Sequence, residues 1–184
     1  MTQSSMTLGF LDILPQPVVD FMVDVMEWMV ETAAGAETWQ QILVMLAGGA
    51  IPFLESYVTS FVGVLVGIPE PLAVSAAVVG NVVCMLVLTF LTGGARSMAT
   101  RGRDAGPEAQ PSKRRQRVAK YMDRLGVPGV CLATPLVLPT MFTAPILVGM
   151  GAKVRSVIVW MTVSIIAWGV LFGFFGDWVS GWFM

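Results

Sequence analysis

Two stretches of the chain are apolar without a break. Pro71–Thr92 runs for 22 residues and Ser156–Gly176 for 21 with no charged side chain. About 20 apolar residues in a helix cross the hydrocarbon core of a bilayer, so both are predicted to be transmembrane helices. Each carries a pair of small residues one turn apart, Ala76 and Gly80 in the first and Gly169 and Gly173 in the second. Such pairs let helix backbones approach closely, though small residues are common in membrane helices in any case.

Two further apolar stretches are interrupted. Ile42–Gly67 contains Gly48, Gly49, Pro52 and Glu55, and Val127–Gly151 contains Pro135, Pro139 and Pro145. Proline inside a helix removes a hydrogen bond and clashes with the preceding turn, which argues against a straight spanning helix in either place. Non-helical backbone at membrane depth is tolerated inside protein or beside a wet cavity. Each stretch is therefore expected to be a re-entrant hairpin, two half-helices meeting at a proline-containing tip. The alternative is a pair of kinked spanning helices.

Ahead of these, Pro17 to about Thr32 reads as a helix with proline in its first turn. Asp20, Asp24, Glu27 and Glu31 fall on one narrow stripe, and the rest of its surface is apolar. Sixteen residues make about 24 Å of helix, too short to span, so it is expected to lie at the interface with its stripe in water. The stripe reads either as a solvated face or as a vestibule that attracts cations. With no basic residue before it, this segment is not expected to be a cleaved signal peptide.

Charge orients these elements. Residues 1–95 contain no Lys or Arg, whereas nine of the eleven bases lie between Arg96 and Arg124. Asp104, Glu108 and Asp123 share that stretch and leave it at +6. Short basic loops stay cytoplasmic. Residues 100–112 read as a flexible linker, and 113–125 as a basic helix on the inner leaflet. A nucleic-acid patch is disfavoured because the loop lacks interleaved aromatics. With hairpins at 42–67 and 127–151 all eleven bases are cytoplasmic, whereas four spans would put Lys153 and Arg155 outside. The hairpins are preferred.

The expected fold is thus all-α and integral to the membrane: an inverted repeat of re-entrant hairpin plus transmembrane helix, with an N-terminal interfacial amphipathic helix. Residues 1–41 form the acidic outer helix. Residues 42–95 form repeat 1, with hairpin 42–67 and span 71–92. Residues 96–125 are the cytoplasmic linker and surface helix, and residues 126–184 form repeat 2, with hairpin 127–151 and span 156–176. Both termini are placed outside, in a multi-pass protein. The repeat rests on element order and on tip-to-span spacing, since identity between the halves is low. Transporters built this way hold their substrate near the midplane, between broken helices.

Glu55 is the one acidic or basic side chain in either hairpin interior. A carboxylate at the bilayer centre costs about 2.5–3.5 kcal/mol on insertion scales. It must face a cavity, find a polar partner or hold a proton; otherwise it lies near the headgroups and snorkels. The expected site groups Glu55 with Pro52, Ser56, Asn81, Thr134, Pro139, Thr140 and Thr143, at the two tips and in the first span. Tyr57, Thr59 and Ser60 are further hydrogen-bonding neighbours.

Composition agrees with a lipid setting: hydrophobic residues are 55% and charged residues 12%, about half the charge of a soluble domain. There is no His, and the two cysteines, Cys84 and Cys131, sit in apolar runs. No metal site, cofactor or disulfide scaffold is expected. No enzyme activity is expected either, because no nucleophile–base pair is present.

Several words resemble the small multidrug export family of bacterial membrane proteins. They are Gly49-Ala50-Ile51-Pro52-Phe53-Leu54-Glu55-Ser56, Ala77 to Asn81, Asp123-Arg124-Leu125-Gly126-Val127-Pro128-Gly129, and Thr134-Pro135-Leu136-Val137-Leu138-Pro139-Thr140. The resemblance covers about 45–175 and implies a bacterial cytoplasmic-membrane protein that exports small toxic compounds. The layout is also similar to DedA-type proteins, with paired re-entrant hairpins and roles in lipid-carrier recycling. Their tips pair acids with Arg, which suits phosphate, and neither hairpin here has a base.

The function expected first is a small transporter exporting small amphipathic compounds, with proton coupling through Glu55. The alternatives are a lipid or lipid-carrier flippase or scramblase, and a non-transporting accessory subunit of a larger membrane complex. Expected partners are membrane lipids, a small-molecule or lipid substrate, and a second copy or other subunits; no nucleic acid is expected.

Overall fold

The computed structural model describes residues 15–100, 125–136 and 138–181. Among them every regular element is a helix. The basic surface helix expected over 113–125 lies outside the described residues except for Leu125.

Helix α1 spans Gln16–Ala33, with Pro15 as its N-cap. Proline suits a helix start because the first-turn N–H groups have no intrahelical acceptor. Met22, Met29 and Ala33 are buried, and Asp20, Asp24, Glu27 and Glu31 are exposed on the opposite side. The acidic stripe is therefore real, and the face behind it docks on the protein.

Helix α2, Thr38–Gly49, starts with a reciprocal capping box between Glu37 and Gln40, which satisfies two otherwise orphaned donors. A turn containing Pro52 separates it from α3, Glu55–Leu65. A side chain built on Gly48 would meet Thr59, and one on Gly63 would meet Met45. The contacts run in reversed order, so the chain folds back on itself. At 12 and 11 residues, the arms are each about 17 Å long, roughly half a hydrocarbon core.

Helix α4, Glu70–Thr100, follows. Its apolar part is Glu70–Thr92. The helix runs past the end expected at Thr92 and carries Arg96 on its last turns, since Gly93-Gly94 is followed by good helix formers and no proline. Helix α5 covers Leu125–Leu136, and its last turn, Thr134–Leu136, tightens to a 3-10 helix around Pro135. Helix α6 is Thr140–Gly149, with Pro139 as N-cap and Pro145 inside. Helix α7 is Val154–Ser180. The proline-rich stretch thus breaks between α5 and α6, ahead of Pro139.

Two helix ends are built alike. Gly67 and Gly151, 84 positions apart, have φ of 89° and 99°. The Gly67 and Ile68 amides donate to Val64 and Gly63, and the Gly151 and Ala152 amides to Val148 and Leu147. This is the left-handed C-cap that glycine permits. It turns α3 into α4 and α6 into α7.

Helices α4 and α7 are antiparallel: Val78 lies against Gly169, and Val74 against Gly173. Helix α3 runs parallel to α7, with Ser56 beside Gly169, Ser60 beside Gly173 and Phe61 beside Gly176. Helix α2 crosses α4 at backbone contact, where a Cβ on Gly49 would fall 2.1 Å from the Ala77 carbonyl oxygen and one on Gly80 2.0 Å from that of Leu46. One apolar core joins α1, α2 and α3 to the start of α4. The other joins α4, α5, α6 and α7.

The apolar parts of α4 and α7, Glu70–Thr92 and Val154–Val179, are long enough to cross a membrane, yet only 33% of an 18-residue apolar stretch in each is buried. The core helix of a water-soluble protein would be mostly covered. Here Val79, Val83, Val87 and Phe90 on α4, and Val163, Val170, Phe174 and Trp178 on α7, are exposed. These outer faces suit lipid.

Candidate functional site

The turn before α3 is unusual. Phe53 and Glu55 both have positive φ, 73° and 49°, in the region that side chains with a Cβ avoid. Each costs on the order of 1–3 kcal/mol, and such outliers cluster at functional sites. The Tyr57 hydroxyl donates to the Phe53 carbonyl at 3.1 Å and helps hold the turn. The outcome is that Glu55 points inward at the first position of α3, with 1% of its surface exposed.

Its carboxylate meets α6. Glu55 Oε1 accepts the backbone N–H of Thr140 and, at 2.7 Å, the Thr140 hydroxyl. Thr140 is the first residue of α6, whose own N-cap, Pro139, offers no side-chain hydrogen bond. A carboxylate from one half of the chain thus caps a helix in the other. Both the unpaired first-turn amides and the helix dipole favour a negative charge at that point.

Asn81, in α4, completes the group. The Thr140 hydroxyl lies 3.1 Å from Asn81 Oδ1. A hydroxyl has one proton, and the carboxylate is the stronger acceptor. Turning the Asn81 amide end for end lets its N–H donate to Thr140 instead. In either orientation one end of the amide has no partner, and Glu55 Oε2 has none either. Two completely buried residues therefore each keep an unsatisfied polar atom beside the same threonine, an arrangement that costs roughly 1–3 kcal/mol per group.

Of the residues expected at the site, Glu55, Asn81 and Thr140 meet directly. Ser56 is adjacent, but its hydroxyl donates at 2.8 Å to the Ile165 carbonyl on α7. Pro139 sets the start of α6, and Pro52 lies in the tip turn. Thr134 and Thr143 are buried, but their hydroxyls donate back to Val130 and Pro139 within their own segments. That local bonding is common for threonine in helices and removes both from the cluster.

Thr59 and Ser60, expected as hydrogen-bonding neighbours, are buried but their hydroxyls have no partner. Two groups were not expected: Ser164, whose buried hydroxyl also has no partner, and the Ile165 carbonyl, which takes the Ser56 bond. A backbone carbonyl carries no sequence mark. Cys84 is a further neighbour, its sulfur 3.9 Å from that of Met141 on α6. Among the described residues no group of three or more His, Cys, Asp or Glu could hold a metal ion. What the arrangement offers is one carboxylate oxygen and one amide end for a proton, a small cation or a polar group of a substrate.

Comparison of the chain with protein-family models, with curated proteins and with solved structures found no match.

Proposed function

We infer that this is a small multi-pass membrane transporter in which Glu55 is the ion- or proton-exchanging group of a site between two inverted halves. The observation that carries the reading is a wholly buried carboxylate on strained backbone, bonded across the halves and keeping one oxygen free. A protein selected only for stability would replace such a group.

Three features support the inverted halves. The Gly67 and Gly151 caps repeat at an offset of 84. The same offset relates Ser56 to Thr140 and Asn81 to Ile165, so each tip hydroxyl lies against the long helix of the other half. Finally, α4 and α7 are antiparallel. If 42–67 and 127–151 are hairpins and the basic loop is cytoplasmic, the two spans must point in opposite directions. Two kinked spanning segments would make them parallel.

The preferred activity is export of small amphipathic compounds, in keeping with the resemblance to the small multidrug export family. Flipping of a phosphate-bearing lipid has less support, because neither hairpin carries Lys or Arg. The test is overexpression in a drug-sensitive bacterium, with uptake measured in reconstituted vesicles. Glu55→Gln is expected to abolish resistance and gradient-driven transport. Normal transport by that variant refutes the reading. Absence of any transport, with one protein co-purifying in fixed ratio, points to an accessory subunit instead.

A further inference from the structure

We propose that α6 is the gate of the Glu55 site, and that the negative charge of Glu55 holds it shut. The inference rests on the reading of Glu55 as the exchanging group and says how that site is regulated.

Helix α6 depends on others for its start. Pro139 brings no capping side chain, and the Thr140 amide is satisfied by Glu55. The carboxylate holds α6 by two hydrogen bonds and by its charge on the positive end of the helix. A proton on Glu55, or a cationic group of a substrate beside it, removes or offsets that charge and weakens the hold.

Helix α6 is also built to separate. It is 10 residues long, and Pro145 leaves the Met141 carbonyl without its usual donor. Just past its C-cap lies Gly151, left-handed in φ and with open space around it. The other cross-half seam is fastened more firmly. Along α3 and α7, Ser56 bonds Ile165, Tyr57 packs edge-on against Phe172 at 5.5 Å, and Phe61 stacks on Phe175 at 6.0 Å. Opening therefore falls between α6 and α4, and it uncovers Glu55, Asn81 and Cys84.

Few other groups can confuse a titration. Tyr57 on its own helix and Cys84 on α4 are the titratable side chains near Glu55, and both types are ordinarily uncharged at neutral pH. Helices α2 and α6 contain no titratable residue. Those of α7 are Arg155 and Asp177, close to its two ends.

Cys84 is a native reporter, half-buried against Met141. The experiment uses the full chain in lipid vesicles with Cys131→Ser, so that only Cys84 reacts with N-ethylmaleimide, and rates are normalised to the denatured protein at each pH. Cys84 should be protected at neutral pH and label faster as the pH falls. Glu55→Gln and Thr140→Val should each speed labelling about tenfold, the factor for loss of about 1.4 kcal/mol, and Glu55→Gln should remove the pH dependence. Ser56→Ala, which loosens the other seam, should leave Cys84 protected. Equal rates in the parent and both site variants overturn the proposal, as does equal acceleration by Ser56→Ala. Should Glu55→Gln fail to give a monodisperse helical protein, Thr140→Val decides, because it retains the carboxylate. Transport lost in Glu55→Gln with Cys84 labelling unchanged defeats the gate alone, whereas normal transport defeats the site itself.

Discussion

Glu55 and Thr140 are 85 residues apart in the chain and share two hydrogen bonds, one from the threonine amide and one from its hydroxyl. The pair fastens the first half of the protein to the start of a helix in the second. Thr140→Val keeps the amide and the shape but loses the hydroxyl. A hydrogen bond to a charged group contributes about 1.5–3 kcal/mol, so this variant should unfold at clearly lower temperature in detergent. Thr140→Ser should recover most of the difference. Equal melting of Val, Ser and parent proteins would mean that the hydroxyl contributes nothing.

Asn81 separates stability from function. One end of its amide is buried without a partner, so an apolar residue of similar volume should not weaken the fold. Asn81→Leu is expected to melt within about 1 kcal/mol of the parent, or above it. Transport should nevertheless fall severely, because the proposed site uses the free polar end. A variant that melts much earlier assigns Asn81 to the scaffold instead.

The crossing of α2 over α4 has no room for a methyl group. Cβ atoms on Gly49 or Gly80 would lie 2.1 or 2.0 Å from a backbone oxygen, and backbone cannot move aside as a side chain can. Gly49→Ala and Gly80→Ala should each cost at least the 1–3 kcal/mol typical of overpacking. Gly181→Ala, whose nearest neighbours would be carbonyl oxygens at 3.6 and 3.7 Å, should change little. Thermal denaturation of the three variants side by side measures the contrast.

The proposed hairpin topology makes opposite demands on two exposed positions. Pro69 follows α3 and Lys153 precedes α7. With both native cysteines replaced by serine, Pro69→Cys should react with an impermeant reagent from outside the cell. Lys153→Cys should react only from the cytoplasmic side. Lys153→Cys labelled from outside would instead fit the kinked spanning helices.

Much of the fold was legible because lipid imposes a simple code. Uncharged runs of about 20 residues became the long helices, and the acidic stripe of α1 emerged on its exposed side. The breaks fell where Pro52 and Pro139 lie, because proline cannot take an interior helix position without losing a bond. The site was half legible. Glu55 stood out as a lone acid in an apolar segment, and Asn81 and Thr140 as polar residues beside it. Thr134 and Thr143 had the same credentials, yet their hydroxyls bond within their own helices. Composition cannot distinguish a threonine that turns back from one that reaches across.

From its order of residues alone, the chain dictates where helices start, stop and break, since capping, proline geometry and apolar length act over a few neighbours. Which helices touch is a different matter. The Glu55–Thr140 bond, the Ser56–Ile165 bond and the antiparallel seating of α4 on α7 join residues 85 to 109 positions apart or depend on backbone atoms that every residue shares. Those contacts were settled by packing, because small residues let particular backbones approach and a buried carboxylate had to find donors wherever the folded chain brought them.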